Sequence, residues 1–251
     1  MINSLFDLSG KTACVTGASA GLGEYAARFL VQSGVAVVGV ARRGDRLQQW
    51  QQASGGRTAA VVADLSDTAT VPEVARQVCA AFGPPDILIN AAGINTRQSA
   101  GEVTPQGWAV TLDLNLTVPF FLAQSFAGAM QDKGWGRIIN FASLQTFRAF
   151  PGGIAYGASK AGVAQMTRAM AEAWSPFGIN ANAIAPGFFK TELTAAVFDD
   201  SERSARNAAQ TCIGRNGVVE DLAGPLQFLC SDASAYVTGQ ILSVDGGYTA
   251  K

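Results

Sequence analysis

Seven short, nearly continuous apolar runs recur along this chain, at residues 12–16, 35–40, 59–63, 87–89, 137–141, 179–184 and 241–244. They are too short for buried helices, and they show no alternation that would leave one face polar. A strand apolar on both faces has to be covered on both sides, as in a parallel sheet between two helical layers. The intervening stretches at 22–33, 71–82, 105–130, 155–174 and 219–229 have the length and patterning of helices. In the fourth of these, Val163, Met166, Thr167, Met170 and Trp174 recur at helical spacing and provide one face to pack on a sheet. The expectation is an α/β chain forming a single domain over residues 1–251, a doubly wound parallel sheet of about seven strands with helices on both faces. No internal repeat, low-complexity tract or interdomain linker interrupts it.

Composition narrows the function classes. The 251 residues are 48% hydrophobic, enough for a large core, and the formal charge of -1 gives no general attraction to a nucleic acid or an anionic membrane. No apolar run approaches the ~18 residues of a membrane span, and the start Met1-Ile2-Asn3-Ser4 lacks the basic region of a signal peptide. A soluble, cytoplasmic protein with no membrane or nucleic-acid partner is expected. Cys14, Cys79, Cys212 and Cys230 are scattered, which indicates neither a zinc site nor a disulfide framework. The chain has no histidine, so Ser-His-Asp chemistry and His-ligated metals are excluded, and no metal site is expected.

Three stretches carry candidate chemistry. The first run leads into Thr16-Gly17-Ala18-Ser19-Ala20-Gly21-Leu22-Gly23 and then a helix. Glycines there let the backbone turn sharply and approach a pyrophosphate, and the helix start offers free N–H groups to its oxygens. The second run ends in Ala41-Arg42-Arg43, with Ala41 where an acid would bind an adenosine ribose. Arg42 instead offers a guanidinium fork to a 2′-phosphate, favouring NADP(H), with NAD(H) as the alternative; a basic helix start on the surface is the other reading. In Tyr156-Gly157-Ala158-Ser159-Lys160 a phenol and an amine share one helical face. A nearby ammonium favours the phenolate, which suits proton exchange at a carbonyl or alcohol oxygen, although a solvated Tyr-Lys pair has the same spacing.

The pattern TGxxxGxG at 16–23, Asn90-Ala91-Ala92-Gly93, Asn115, Ser143, the YxxxK at Tyr156 and Lys160, and Pro186-Gly187 occur in the order of one family. Together they resemble the short-chain dehydrogenases/reductases across essentially the whole chain. The resemblance implies a Rossmann-like fold, with a dinucleotide-binding half over about 1–150, a catalytic and substrate-binding half over about 140–251, and a mobile substrate lid over about 188–215. It implies Tyr156 as general acid/base, with Lys160 lowering its pKa and holding the nicotinamide ribose. Ser143 would steady the substrate oxygen, and Asn115 would help hold a relay water. Cofactor contacts are implied for Gly17, Ser19, Gly21, Leu22, Gly23, Arg42, Asp64, Leu65, Asn90, Ala91, Gly93, Tyr156, Lys160, Pro186, Gly187 and Thr191. Asp64 has a second reading as the cap of Asp64-Leu65-Ser66. Ala91 and Asn180 depart from the commonest family residues, and a homotetramer is implied by resemblance alone.

Covalent structure adds one expectation. Pro119 has no N–H and lies four residues after Asn115, so the Asn115 carbonyl loses its normal helical partner and a kink or bulge is expected there.

Ile94-Asn95-Thr96-Arg97 and the closing stretch 237–247 are most similar to the branch containing gluconate 5-dehydrogenases and 2-deoxygluconate 3-dehydrogenases. Arg97 and Arg148 are candidate anchors for a substrate carboxylate, with Gln145, Phe150 and Phe188 as further substrate contacts. The aromatic residues Phe147, Phe150, Phe188 and Phe189 suit a cyclic or aryl ketone equally well. The expected activity is NADP(H)-dependent interconversion of a ketone and a secondary alcohol on a small molecule, with 5-ketogluconate as a candidate. A bulky-ketone reductase, a 3-oxoacyl thioester reductase and a non-catalytic NADP-binding regulator remain as alternatives.

Overall fold

The computed structural model describes residues 2–251. Met1, part of the start read above, lies outside them.

Seven strands form one parallel sheet: β1 (Thr12–Thr16), β2 (Ala36–Ala41), β3 (Thr58–Val62), β4 (Ile87–Asn90), β5 (Gly136–Phe141), β6 (Ile179–Pro186) and β7 (Ile241–Val244). Their spatial order is β3-β2-β1-β4-β5-β6-β7. After a one-turn helix α1 (Ile2–Leu5) come α2 (Gly21–Gln32), α3 (Gly44–Ser54), α4 (Val71–Phe82), α5 (Pro105–Leu112) and α6 (Val118–Lys133). The remaining helices are α7 (Ile154–Trp174), α8 (Ala195–Phe198), α9 (Ser201–Gln210) and α10 (Ala223–Cys230).

Alternation along the strands sorts apolar side chains into two cores. Ala13 and Val15 of β1 join Leu30 of α2, Leu47 and Trp50 of α3 and Leu226 of α10 on one face. Cys14, one residue out of phase, joins Val78 of α4, Leu122 and Phe126 of α6 and Met170 of α7 on the other. Every residue of β2, β4, β5 and β6 is buried, including the polar Asn90, Arg137, Asn140, Asn180 and Asn182. Truncating a residue such as Leu88 or Ile138, both fully buried, would cost ~2–5 kcal/mol. The edge strands β3 and β7 are the exceptions, each keeping exposed positions because only one neighbour covers them.

The strand order reverses between β1 and β4, and the carboxyl ends of these two strands open into the crevice where open α/β sheets hold ligands. Gly17 turns away from β1 there at φ +73°; a Cβ on it would lie 2.9 Å from the Ala92 amide nitrogen after β4. The Thr16 hydroxyl accepts from the Ala91 and Ala92 amides, 3.1 Å each, and fastens the two loops together.

The distortion expected at Pro119 is present. Residues Asp113–Thr117 form a π-helical segment between α5 and α6, with the buried Asn115 at its centre. Among the described residues, no helix is long and apolar enough to cross a membrane.

Candidate active site

A cleft of about 640 Å³ runs along the carboxyl edge of the sheet, from the glycine turn to Tyr156. At its first end the backbone of Gly17, Gly21 and Gly23 lines the wall beside Ser19, Ala20 and Leu22. Any side chain at Gly23 would strike the Gly17 carbonyl at 2.5 Å, so the turn and the start of α2 pack without intervening atoms. Gly93 sits between the Asn115 oxygen, 3.1 Å from where its Cβ would be, and the Lys160 ammonium at 3.7 Å. This bare backbone channel, ending at the N-terminus of a twelve-residue helix, fits the pyrophosphate and ribose of a dinucleotide.

The far end holds the candidate chemistry. Ser143 leaves β5 in extended conformation and caps a short 3₁₀ turn, its hydroxyl accepting from the Gln145 amide at 3.2 Å. Thr146 ties that turn to α7 by donating to the Lys160 carbonyl at 3.0 Å. Ser143 and Tyr156 thereby both face the cleft at this end. Lys160 is buried and its ammonium donates to the Phe141 carbonyl at 2.6 Å, 5.6 Å from the Tyr156 ring centre. Burial lowers the Lys160 pKa to about 8.

The effect of Lys160 on Tyr156 differs from expectation. Tyr156 keeps some exposure to the cleft, yet the dense protein around it pushes its phenol above the ordinary value. The neighbouring Ser143 hydroxyl and the positive charge of Arg97 act in the opposite direction without overcoming burial. Lys160 points at a main-chain carbonyl rather than at the phenol oxygen, so the protein alone does not produce the lowered pKa.

Asn115 shapes the site from behind. Its amide receives the Ile94 N–H at 2.9 Å and donates to the Ile94 carbonyl at 2.9 Å and the Ser159 hydroxyl at 3.0 Å, pinning the loop after β4 to α7. Both amide protons are thus used, and the amide oxygen accepts one hydrogen bond.

Of the residues singled out in the sequence, the cleft is lined by Gly17, Ser19, Gly21, Leu22, Gly23, Arg42, Asp64, Leu65, Ala91, Gly93, Arg97, Ser143, Gln145, Phe150, Tyr156, Lys160, Pro186, Gly187, Phe188 and Thr191. Asn115 stands behind the cleft, and two more are placed elsewhere. Asn90 faces the interior, donating to the Asn140 oxygen at 2.9 Å and the Pro119 carbonyl at 3.3 Å, so it joins the central strands and does not line the cleft. Arg148 lies against the C-terminal end, its guanidinium 5.5 Å from the Tyr248 ring centre and 3.4 Å from the Tyr248 carbonyl. It lies outside the cleft and cannot anchor a substrate there. Arg97 does reach in, from a left-handed backbone (φ +53°), and donates to the Leu193 carbonyl across the opening. Asp64 takes its capping reading, with one carboxylate oxygen accepting from the Ser66 amide and hydroxyl, while the other lies 3.6 Å from Arg42. Ser66 holds its pKa down first, with Arg42 contributing less.

Phe150, Phe188 and Tyr248 form an aromatic cluster with ring centres 5.7–6.3 Å apart, Phe188 edge-to-face with both others and Phe150 tilted against Tyr248. Phe147 is exposed and is not part of the cleft wall. The Gln145 oxygen is buried in the wall without a hydrogen-bond partner.

Several lining residues were missed in the sequence. Arg43 bonds Ser19 at 3.4 Å and pairs with Glu192 at 2.7 Å. It stands next to Arg42, so the basic pair itself was the signal. Arg203 and Asn207, one turn apart on α9, also face the cleft. That helix has no buried residue, so hydrophobic periodicity carried no indication of which way it points.

Known proteins match this chain along its whole length. The family profile described as "Enoyl-(Acyl carrier protein) reductase" matches residues 17–249. The 2-dehydro-3-deoxy-D-gluconate 5-dehydrogenase of Escherichia coli (strain K12) is 40% identical over 257 residues, covering 100% of both chains. The gluconate 5-dehydrogenase of Gluconobacter oxydans (strain 621H) is 39% identical, covering 98% of this chain and 97% of its own. Among solved structures, a gluconate 5-dehydrogenase from Burkholderia cenocepacia J2315 in complex with NADP and tartrate superposes with a TM-score of 0.93 at 36% identity, covering 100% of both chains. The shared sheet, the glycine turn and the Ser-Tyr-Lys cluster have one explanation: the chain belongs to the short-chain dehydrogenase/reductase family, oxidoreductases that act on CH–OH groups.

Proposed function

We propose that the protein is an NADP(H)-dependent sugar-acid dehydrogenase that interconverts a secondary alcohol and a ketone on a keto-aldonate such as 5-ketogluconate. The observation that carries this reading is the arrangement of one cleft: a basic cluster beside a glycine turn at one end, and Ser143, Tyr156 and Arg97 converging at the other. The relatives named for gluconate and 2-dehydro-3-deoxy-D-gluconate, and the neighbour holding NADP and tartrate, support the same substrate and cofactor class.

The nicotinamide, when bound, supplies or accepts the hydride. Gly17, Ser19, Gly21, Gly23, Ala91 and Gly93 would hold its phosphates and riboses, with Arg42 and Arg43 at the 2′-phosphate and Pro186, Gly187 and Thr191 along the lid side. Tyr156 gives its proton to the carbonyl oxygen during reduction and takes it back during oxidation. Ser143 donates a hydrogen bond to the same oxygen and fixes it against Tyr156. Lys160 would hold the cofactor ribose, and its positive charge near the Tyr156 ring favours the phenolate. Arg97 receives the substrate carboxylate, while Gln145 lines the chamber beside it. Phe150 and Phe188 bound the chamber. The segment at about 188–215 acts as a mobile lid, and exposed apolar residues including Trp108, Phe121 and Leu242 support assembly into a homotetramer, which light scattering would check.

The test is oxidation of NADPH and of NADH against 5-ketogluconate, an acetoacetyl thioester and a bulky cyclic ketone. Fast turnover of the keto acid with NADPH is expected. Turnover confined to the thioester or the cyclic ketone would refute the sugar-acid reading while keeping Tyr156 in its role.

A further inference from the structure

Three arginines stand at the end of β2 and the start of α3, and two of them are occupied by an acid from the far side of the cleft. The Glu192 carboxylate lies 2.7 Å from Arg43 and 3.6 Å from Arg46. It projects from the short turn Glu192–Thr194, whose preceding residue, Thr191, rests 3.3 Å from the Cβ position of Gly21. Arg43 and Glu192 both line the cleft, and Arg43 also reaches the Ser19 hydroxyl of the glycine turn. Arg42, the third arginine, is turned toward Asp64.

We infer that Glu192 is an internal counter-anion that competes with the 2′-phosphate of the cofactor for Arg43, and so sets how strongly NADP(H) is preferred over NAD(H). This inference rests on the NADP(H) reading above. A phosphate monoester carries a charge of about -1.5 to -2 and three strong acceptor oxygens, so it outcompetes a single carboxylate for a guanidinium fork. Displacing Glu192 is nevertheless a cost that NADP(H) binding bears and NAD(H) binding, which leaves the pair intact, does not. Both partners are about half exposed, 40% for Arg43 and 52% for Glu192, and exposed ion pairs of this kind are worth only ~1.5- to 5-fold in an equilibrium constant. Glu192 therefore moderates the selectivity that the arginines create.

The experiment measures dissociation constants of NADPH and NADH for the full-length wild type and Glu192→Gln by quenching of tryptophan fluorescence at low ionic strength. Gln keeps the shape of an exposed side chain and removes only its charge. NADPH should tighten ~3-fold in the variant, NADH should change far less, and the gain should fade at high salt. In an Arg43→Gln background, Glu192→Gln should leave NADPH affinity nearly unchanged. Unchanged or weaker NADPH binding in Glu192→Gln, or equal tightening of both cofactors, would overturn the competitor role. Tighter binding of NADH than NADPH by the wild type would instead overturn the NADP(H) reading itself, so the two failures are separable.

Discussion

The glycine turn and the lid face each other across one cleft, and they are held in opposite ways. The turn is fixed by close backbone approach: Gly17 and Gly23 have no room for a Cβ, and Thr16 bonds two amides of the neighbouring loop. The lid rests on polar contacts. Glu192 meets Arg43, the Leu193 carbonyl meets Arg97, Asn216 bonds Ser204, and α9 buries no residue. Only Phe189 and Val197 anchor the segment in the apolar interior. Few buried apolar contacts and exposed hydrogen bonds are the properties of segments that open at low free-energy cost. In the proposed function this difference would separate two tasks: the rigid side would present a cofactor to Tyr156 in one geometry, and the yielding side would admit and select the substrate.

This contrast is breakable by substitution. The largest effect is expected from Tyr156→Phe, which keeps the ring and removes the proton; turnover should fall by ~10²–10⁴-fold with NADPH affinity unchanged, as stopped-flow and fluorescence titration would read. Gly17→Ala, at φ +73° against the Ala92 backbone, should cost ~1–3 kcal/mol of strain and lower both the melting temperature and cofactor affinity.

Lys160 sharpens the same contrast through pH. Its pKa is about 8 in the folded protein against an ordinary 10.5, so the folded state disfavours the charged form. The resulting penalty is complete below pH 8 and is relieved between pH 8 and 10.5, where the unfolded chain binds more protons. From the width of that window the penalty is about 3 kcal/mol at neutral pH. Lys160→Met should therefore abolish activity without the stability loss normal for a buried substitution, as thermal melts at pH 7 would show. A loss of several degrees would contradict this. The smallest effect belongs to the lid: Thr194→Val removes the hydroxyl that bonds Phe189 and Thr191, and should raise KM for the keto acid a few-fold and lower the melting temperature by a few degrees, because each net hydrogen bond is worth ~1 kcal/mol.

What the sequence could disclose followed the same division. The sheet was readable because strands buried on both faces are mostly apolar, even with Asn140, Asn180 and Asn182 buried among them, and the glycine turn because few residues other than glycine fit its backbone. The π segment at Asp113–Thr117 followed from the missing N–H of Pro119. Contacts set by tertiary placement were not readable. Arg148 is drawn off the cleft by Tyr248, 100 residues later, and Arg43 meets Glu192 across 149 residues. Asn90 lies in the right stretch but points to the wrong side, since in a strand adjacent residues face opposite ways. The pKa of Tyr156 depended on how densely the folded protein surrounds it, which spacing to Lys160 does not encode.

The central claim is that Arg97 makes this cleft a site for a carboxylate-bearing ketone, and its charge also bears on Tyr156. The most direct measurement is kcat/KM with NADPH for 5-ketogluconate and for the uncharged ketose fructose, in wild type and Arg97→Gln. Wild type should favour the keto acid, and the variant should lose ~10-fold or more on the keto acid and little on fructose, the worth of a charged hydrogen-bonded pair. An unchanged ratio between the two substrates would contradict the account.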